Sequence, residues 1–248
     1  MSGAIVGDVI GRPYEFEHPV LTKDFELYTP GMRFSDDTVL YLAVAHATME
    51  GLPYHDSILE FGRRHRDVGF ARGFTDWLAN PSIGRRDSWG NGSAMRVGSV
   101  AWLARDMQET VEMAEATAIP THGHPEGVKG AVAVAVAVRT GIEGGSPDDI
   151  RFEVTMRTGY NLFRTVDSIR ADYPRFQVSC LRSVPEAIVC ALEAASFEDA
   201  IRNAISLGND ADTQASIAGA IAETMFEVPA GMKERCLQTL TPDLAAVY

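Results

Sequence analysis

The stretch Ala131-Val132-Ala133-Val134-Ala135-Val136-Ala137-Val138 decides the fold class. Its strict alternation is the pattern of a half-buried strand, and on that pattern alone a sheet would run through the middle of the chain. The flanks argue for a helix. Pro125 stands just before the segment 128–139 and Gly141 just past it, the asymmetry that helix ends favour, and alanine, the best helix former, makes up half of the run. Such a helix is apolar on every side and belongs inside a core.

The neighbouring segments follow the same period. Residues 38–49 are apolar nearly all round and stop at Gly51 and Pro53, which gives a second buried helix with His46 as a hydrogen-bonded core histidine. Helices are expected over 55–79 with a break near 69–73, over 109–119, 147–157, 184–195, 197–207 and 214–226, and in a last short one after Pro229. Residues 159–182 read as irregular, and Ser196 with Asp199 three residues on is close to a capping box.

At the N-terminus, 3–17 reads as a short apolar helix ended by Pro13. Gly7 and Gly11 lie one turn apart there, a spacing that permits close backbone approach, and Glu15 and Glu17 follow in an extended or turn segment. With no hairpin signal, linker or repeat, 1–248 is expected to form one all-α domain, compact and built of many helices.

Composition narrows the function. With 22 Lys and Arg against 34 Asp and Glu, the net charge of -12 argues against a nucleic-acid backbone or an anionic membrane surface as the main partner. An anionic small ligand would need a local source of positive charge. Cys180, Cys190 and Cys236 are odd in number and lack metal-finger spacing, which suits buried thiols in a reducing compartment. No stretch has the apolar length of a membrane span or the pattern of a signal peptide, so a cytoplasmic location is expected.

Two oxygen-rich clusters open apolar helices, Ser35-Asp36-Asp37-Thr38 and Gly208-Asn209-Asp210-Ala211-Asp212-Thr213. One such cluster alone is ordinary helix capping, since Ser and Asp are favoured N-caps and suit the helix dipole. Two together, offering more donors than caps need, point to divalent cations, because converging carboxylates repel one another unless a hard cation neutralises them. A third element, Ser88-Trp89-Gly90-Asn91-Gly92-Ser93-Ala94-Met95-Arg96, could present N–H groups to a phosphate and an indole to a base. It lacks the Lys-Ser/Thr ending of a P-loop. His122-Gly123-His124 has no third soft ligand near it and makes a poor zinc site.

In order and type these pieces resemble the ADP-ribosylglycohydrolases, a family of all-α, two-magnesium enzymes with arginine-directed and serine-directed branches. The resemblance runs from Gly7-Asp8 and Glu15 through both acidic clusters, the Ser88–Arg96 loop and Thr121-His122 to the helix after Thr213, nearly the whole chain. It implies an all-α fold of the family's orthogonal type and hydrolysis at C1″ of ADP-ribose on a modified protein or small acceptor. It further implies two Mg2+ ions, with Mn2+ as the alternative. Ser35, Asp36, Asp37 and Asp212 would hold one ion and Asp210, Asp212 and Thr213 the other, Asp212 bridging. Ser88, Gly90, Asn91 and Gly92 would line the diphosphate and ribose, Trp89 would stack on adenine, His122 would face the substrate, and Glu15 would act as acid and base beside Asp36 and Asp212.

One departure bears on the acceptor. Arginine-directed members carry a catalytic Asp in an Asp-x-Gly motif, and the matching stretch here, Val68-Gly69-Phe70-Ala71-Arg72-Gly73, holds no acid. Beside the hydrolase reading stand two alternatives: a sensor that binds ADP-ribose without turnover, which the missing acid allows, and a metal hydrolase of another derivative such as ADP-ribose-1″-phosphate.

Overall fold

The structure, a computed structural model, describes residues 1–16, 21–83, 86–174 and 177–248. Glu17, and Arg175 and Phe176 of the segment 159–182, lie outside these residues. The described chain folds into α1 (Ser2–Gly11), α2 (Asp36–Glu50), α3 (Tyr54–Arg64), α4 (Arg72–Ala79), α5 (Gly98–Leu103), α6 (Met107–Ala118) and α7 (Pro125–Ile142), followed by α8 (Pro147–Thr158), α9 (Val166–Asp172), α10 (Cys180–Leu192), α11 (Phe197–Ile205), α12 (Ala211–Ala222), α13 (Ala230–Leu237) and α14 (Pro242–Ala245). No strand forms among the described residues; the extended pairings are two isolated bridges, Asp87 with His122 and Gly90 with Ser179. Nor is any of the described helices long and apolar enough to cross a membrane.

The Ala/Val run is a helix. It lies in α7, whose first residue is Pro125 and whose residues 131–138 are all buried. The alternation that imitates a strand costs nothing here, because a helix enclosed on every side has no polar face to keep in phase. The same enclosure holds for α12, buried from Ala211 to Ala222.

The site depends on how α1 meets α12. A Cβ on Gly7 would stand 2.0 Å from the Ala215 carbonyl oxygen, one on Gly3 would stand 2.1 Å from that of Gly219, and one on Gly11 would stand 2.6 Å from the Cα of Asp212. These glycines, one turn apart, let the two backbones touch along their length. The contact carries the start of α12 against the end of α1.

Several expectations need correction. The segment 159–182 contains α9, and α10 starts at Cys180, four residues ahead of the expected start, with Pro185 inside it. A further helix, α14, follows the expected last one. His46 is half-buried against Phe61, with ring centroids 5.4 Å apart, and its Nδ1 has no hydrogen-bond partner. At α11 only half of a capping box forms: Ser196 Oγ accepts from the Asp199 N–H at 3.1 Å, while the Asp199 carboxylate accepts from Ala195. All three cysteines are buried free thiols.

Candidate active site

The two acidic clusters begin helices, yet only one behaves as a cap. Ser35 caps α2, its Oγ accepting from the Asp37 N–H at 3.1 Å. At α12 the N-cap residue is Asp210, and its carboxylate makes no capping hydrogen bond. Capping therefore accounts for Ser35 and leaves the aspartates without that explanation.

The helix contact brings these starts together. Carboxylate oxygens of Asp8, Asp37 and Asp212 lie within 4.8 Å of one another, and so do those of Glu15, Asp210 and Asp212. Asp212 belongs to both groups. Asp8 is fully buried on α1; its Oδ2 accepts from the N–H groups of Ser35 at 2.9 Å and Thr38 at 3.1 Å, and its Oδ1 from the Ser35 hydroxyl at 2.7 Å. An acid from another helix thus ties down the start of α2. Thr213 Oγ1 donates to Asp37 Oδ2 at 3.2 Å, and Asn91 Nδ2 donates to Asp210 Oδ2 at 2.6 Å.

So many carboxylates cannot all ionise in a dry place. Burial, reinforced by Asp8, pushes the Asp36 carboxyl up to about 7. Burial and the neighbouring Asp212 hold Asp37 well above the usual range, and burial with Asp210 does the same to Asp212. Asp8 and Asp210 are raised as well, chiefly by burial. The described residues supply one cation to this floor, Arg12, which donates from Nη1 to Asp212 Oδ2 at 3.0 Å and pairs with Glu15.

This arrangement suits hard divalent cations. Every side-chain donor is oxygen, and Asp37 Oδ1 is buried without a hydrogen-bond partner. Of the residues expected as ligands, Asp37, Asp210, Asp212 and Thr213 meet in the floor. Asp36 lines the same cavity but joins neither group of three, and the Ser35 hydroxyl is committed to Asp8. Glu15 stands among the acids, closer to a ligand position than its expected acid/base role required.

Above the floor is a cavity of about 420 Å³. The loop Ser88–Gly92 forms its rim, and all of Ser88, Trp89, Gly90, Asn91, Gly92 and His122 line it together with Asp36. Backbone bonds hold the loop: Asn91 N–H donates to Val178 C=O at 2.8 Å, and Cys180 N–H donates to Trp89 C=O at 3.0 Å. A Cβ on Gly127 would stand 2.5 Å from the Ser88 carbonyl oxygen, so the start of α7 admits the loop only because that residue is glycine. The Trp89 indole lines the cavity and is half exposed, as a side chain that stacks on a planar ligand must be. At the Asp-x-Gly position, Gly69 and Ala71 line the cavity without an acid.

Reading the sequence gave no role to Asp8 or Arg12. A lone acid in the apolar run Ser2–Gly11 is a signal, since a charge on a buried helix needs partners. Arg12, just past that helix, carries no comparable mark.

Comparison with known proteins agrees with this geometry. Residues 1–246 match the family model for ADP-ribosylglycohydrolase. The chain is 25% identical to human ADP-ribosylhydrolase ARH3 over 321 aligned positions, covering 95% of this chain and 87% of the relative, and 23% identical to the mouse protein over 317. A solved structure, an ADP-ribosylglycohydrolase-related protein complex, superposes with a TM-score of 0.74 at 22% identity, covering 99% of this chain and 92% of that one, and so shares its fold. With the helical fold and the family's model matched from end to end, the chain belongs to the ADP-ribosylglycohydrolase family and is a glycosidic-bond hydrolase.

Proposed function

We propose that this protein removes ADP-ribose from a modified protein side chain or small acceptor by Mg2+-dependent hydrolysis at C1″. One observation carries the reading: Asp212 is shared by two groups of carboxylates at the floor of a cavity whose rim is a glycine loop with an open indole. Asp8, Asp37 and Asp212 on one side and Asp210 with Asp212 on the other would hold two divalent cations, with Thr213 and Asp36 close by and Glu15 at their edge. Bound there, such cations neutralise the acids and polarise hydroxyl and water oxygens.

The remaining work falls to the chain itself. The Ser88–Gly92 loop offers backbone and side-chain donors to the diphosphate, and Trp89 offers its face to adenine. With positions 68–73 empty of acids, Glu15 is the carboxylate left at the mouth to protonate the leaving atom and then to take a proton from water. Arg12 holds it in place. A general acid and base of this kind is worth roughly 100-fold to 10,000-fold in rate.

The missing acid near Gly69 favours a serine-type or small acceptor over arginine. Calorimetry of ADP-ribose with Mg2+ and with a chelator, on wild type and Asp212→Ala, tests the proposal: binding that needs the metal and vanishes in the variant supports it, and no binding under any condition overturns it. Release of ADP-ribose, rather than phosphate, from a panel that includes ADP-ribose-1″-phosphate separates this hydrolase from the alternatives.

A further inference from the structure

Arg96 is fully buried, and among the described residues it has no carboxylate partner. Burying an uncompensated guanidinium is costly, and this one leaves its Nε and Nη1 without hydrogen-bond partners. A core built only for stability would hold an apolar chain there.

What Arg96 does contact is specific. Its Nη2 donates to the Thr117 carbonyl at 2.6 Å and to Thr121 Oγ1 at 2.8 Å. The same Thr121 oxygen lies 2.9 Å from His122 Nδ1. Both residues are buried, Thr121 fully and His122 at 6% exposure.

The protons on this path can be placed by counting. A guanidinium has no acceptor atom, so Thr121 Oγ1 accepts from Arg96. If His122 Nδ1 carried a proton it would also donate to that oxygen, and the Thr121 hydroxyl hydrogen would then be buried with no acceptor among the described residues, at a cost of about 1–3 kcal/mol. The other arrangement leaves neither the Thr121 hydroxyl nor Nδ1 unpaired: the Thr121 hydroxyl donates to Nδ1, and the imidazole proton sits on Nε2. That nitrogen faces the glycine loop, 3.0 Å from where a Cβ on Gly92 would be and 3.7 Å from one on Gly90.

We infer that Arg96 and Thr121 are positioning residues that fix His122 as the neutral Nε2–H tautomer, so that it presents an N–H donor to an acceptor oxygen of a ligand lying on the Gly90–Gly92 loop. The part of this inference that concerns substrate rests on the hydrolase reading above. His122 then serves as a donor and neither as a general base nor as a cation. Burial, with Arg96 and Arg86 beside it, holds the imidazole well below its ordinary range and so uncharged.

The test begins on the ligand-free protein and needs no activity. Long-range 1H–15N correlation of 15N-histidine-labelled protein at pH 7, with His122→Gln assigning the signal, should show Nδ1 unprotonated and Nε2 protonated. Thr121→Val should mix the tautomers, and Thr121→Ser should restore the single one. For hydrolysis of an ADP-ribosylated substrate, Thr121→Val should raise KM about 3-fold to 10-fold with kcat little changed, the worth of one hydrogen bond. In a His122→Gln background, whose amide supplies the N–H without help, Thr121→Val should add nothing. A doubly protonated or Nδ1–H His122 in wild type, or a tautomer unmoved in Thr121→Val, overturns the inference. The expected tautomer in a protein that hydrolyses no ADP-ribosyl substrate would count against the hydrolase reading and leave this assignment standing.

Discussion

The floor and the rim of the cavity are built by opposite means. The floor is made by two helix starts and a helix end pressed together through glycines, so its acids stand where backbone packing puts them. The rim is a loop that runs into a single 3-10 turn at Asn91–Ser93, pinned by isolated bridges to 122 and 179 and by the glycine at the start of α7. Electrostatically they differ as well: the floor is a crowd of acids with one arginine, whereas the rim is neutral donors backed by Arg86 and Arg96. Chemistry needs the rigid, charged floor, and recognition needs the open rim. Substitutions in the floor should therefore abolish turnover, and those in the rim should tune affinity.

The largest expected effect is at the residue both acid groups share. Asp212→Ala should lower kcat/KM by about 1,000-fold, an amount in line with several kcal/mol of lost charge stabilisation. In chelator the same variant should be no less stable than wild type, because it removes one of several mutually repelling buried carboxylates. A steady-state assay paired with thermal melts checks both halves. A simple capping role predicts the reverse pattern, a loss of about 1 kcal/mol of stability with activity kept.

Next comes the contact that makes the floor. Gly7→Ala would push a methyl into the Ala215 carbonyl, and overpacking of this kind costs about 3 kcal/mol. Melting should show that loss, and metal affinity should fall with it because Asp8 and Asp212 move apart. A fall in stability with metal affinity intact would separate the helix contact from the site.

Glu15→Gln tests the boundary between the two regions, since Glu15 reaches the floor from the segment that closes the mouth. Turnover should drop about 100-fold with ADP-ribose affinity nearly unchanged. Equal losses of turnover and of metal affinity would instead make it a ligand. At the rim, Trp89→Ala should raise KM about tenfold, the low end of what base stacking on an aromatic is worth, with kcat preserved.

How much of this was legible in the sequence follows the same division. The all-α fold could be read from the flanks of the Ala/Val run, and Gly7 with Gly11 signalled a close helix crossing. Asp37, Asp210, Asp212 and Thr213 announced themselves as oxygen donors beyond the needs of a cap. Arg12 did not, because its role comes from a crossing between α1 and α12, some 200 residues apart in the chain, and Asp8, a lone acid in an apolar run, signals a need for partners without naming those it finds at the start of α2. The start of α10 was hidden by Pro185, which ordinarily marks a first turn and here sits inside the helix. The rim was legible as a glycine loop carrying donors and an indole, but its anchors at 178–180 were not, because they are backbone bonds, which leave no trace in residue type.

The smallest effect is a slope, and its sign distinguishes a floor that holds metal from one that does not. Asp36 has its folded-state carboxyl raised to about 7 from 3.8, chiefly by burial. Between those values the native chain binds more protons than the unfolded one, so stability falls as pH rises through the window. Asp37 and Asp212, raised for the same reason, act in the same direction. Asp149, Asp199 and Asp243 are held low and titrate below the window, whereas buried His122, held well below its ordinary 6.5, works against the slope with one imidazole against three raised aspartates. In chelator, Tm should therefore decline by a few degrees from pH 5 to pH 8, about 2–4 °C for each kcal/mol in a chain of this size. Saturating Mg2+ should remove the decline, because a bound cation favours the ionised carboxylates, and the gap between the two curves should widen with pH. Asp36→Asn should flatten part of the slope in chelator. Parallel curves with and without Mg2+ would mean that the acids of the floor answer only to one another and to Arg12.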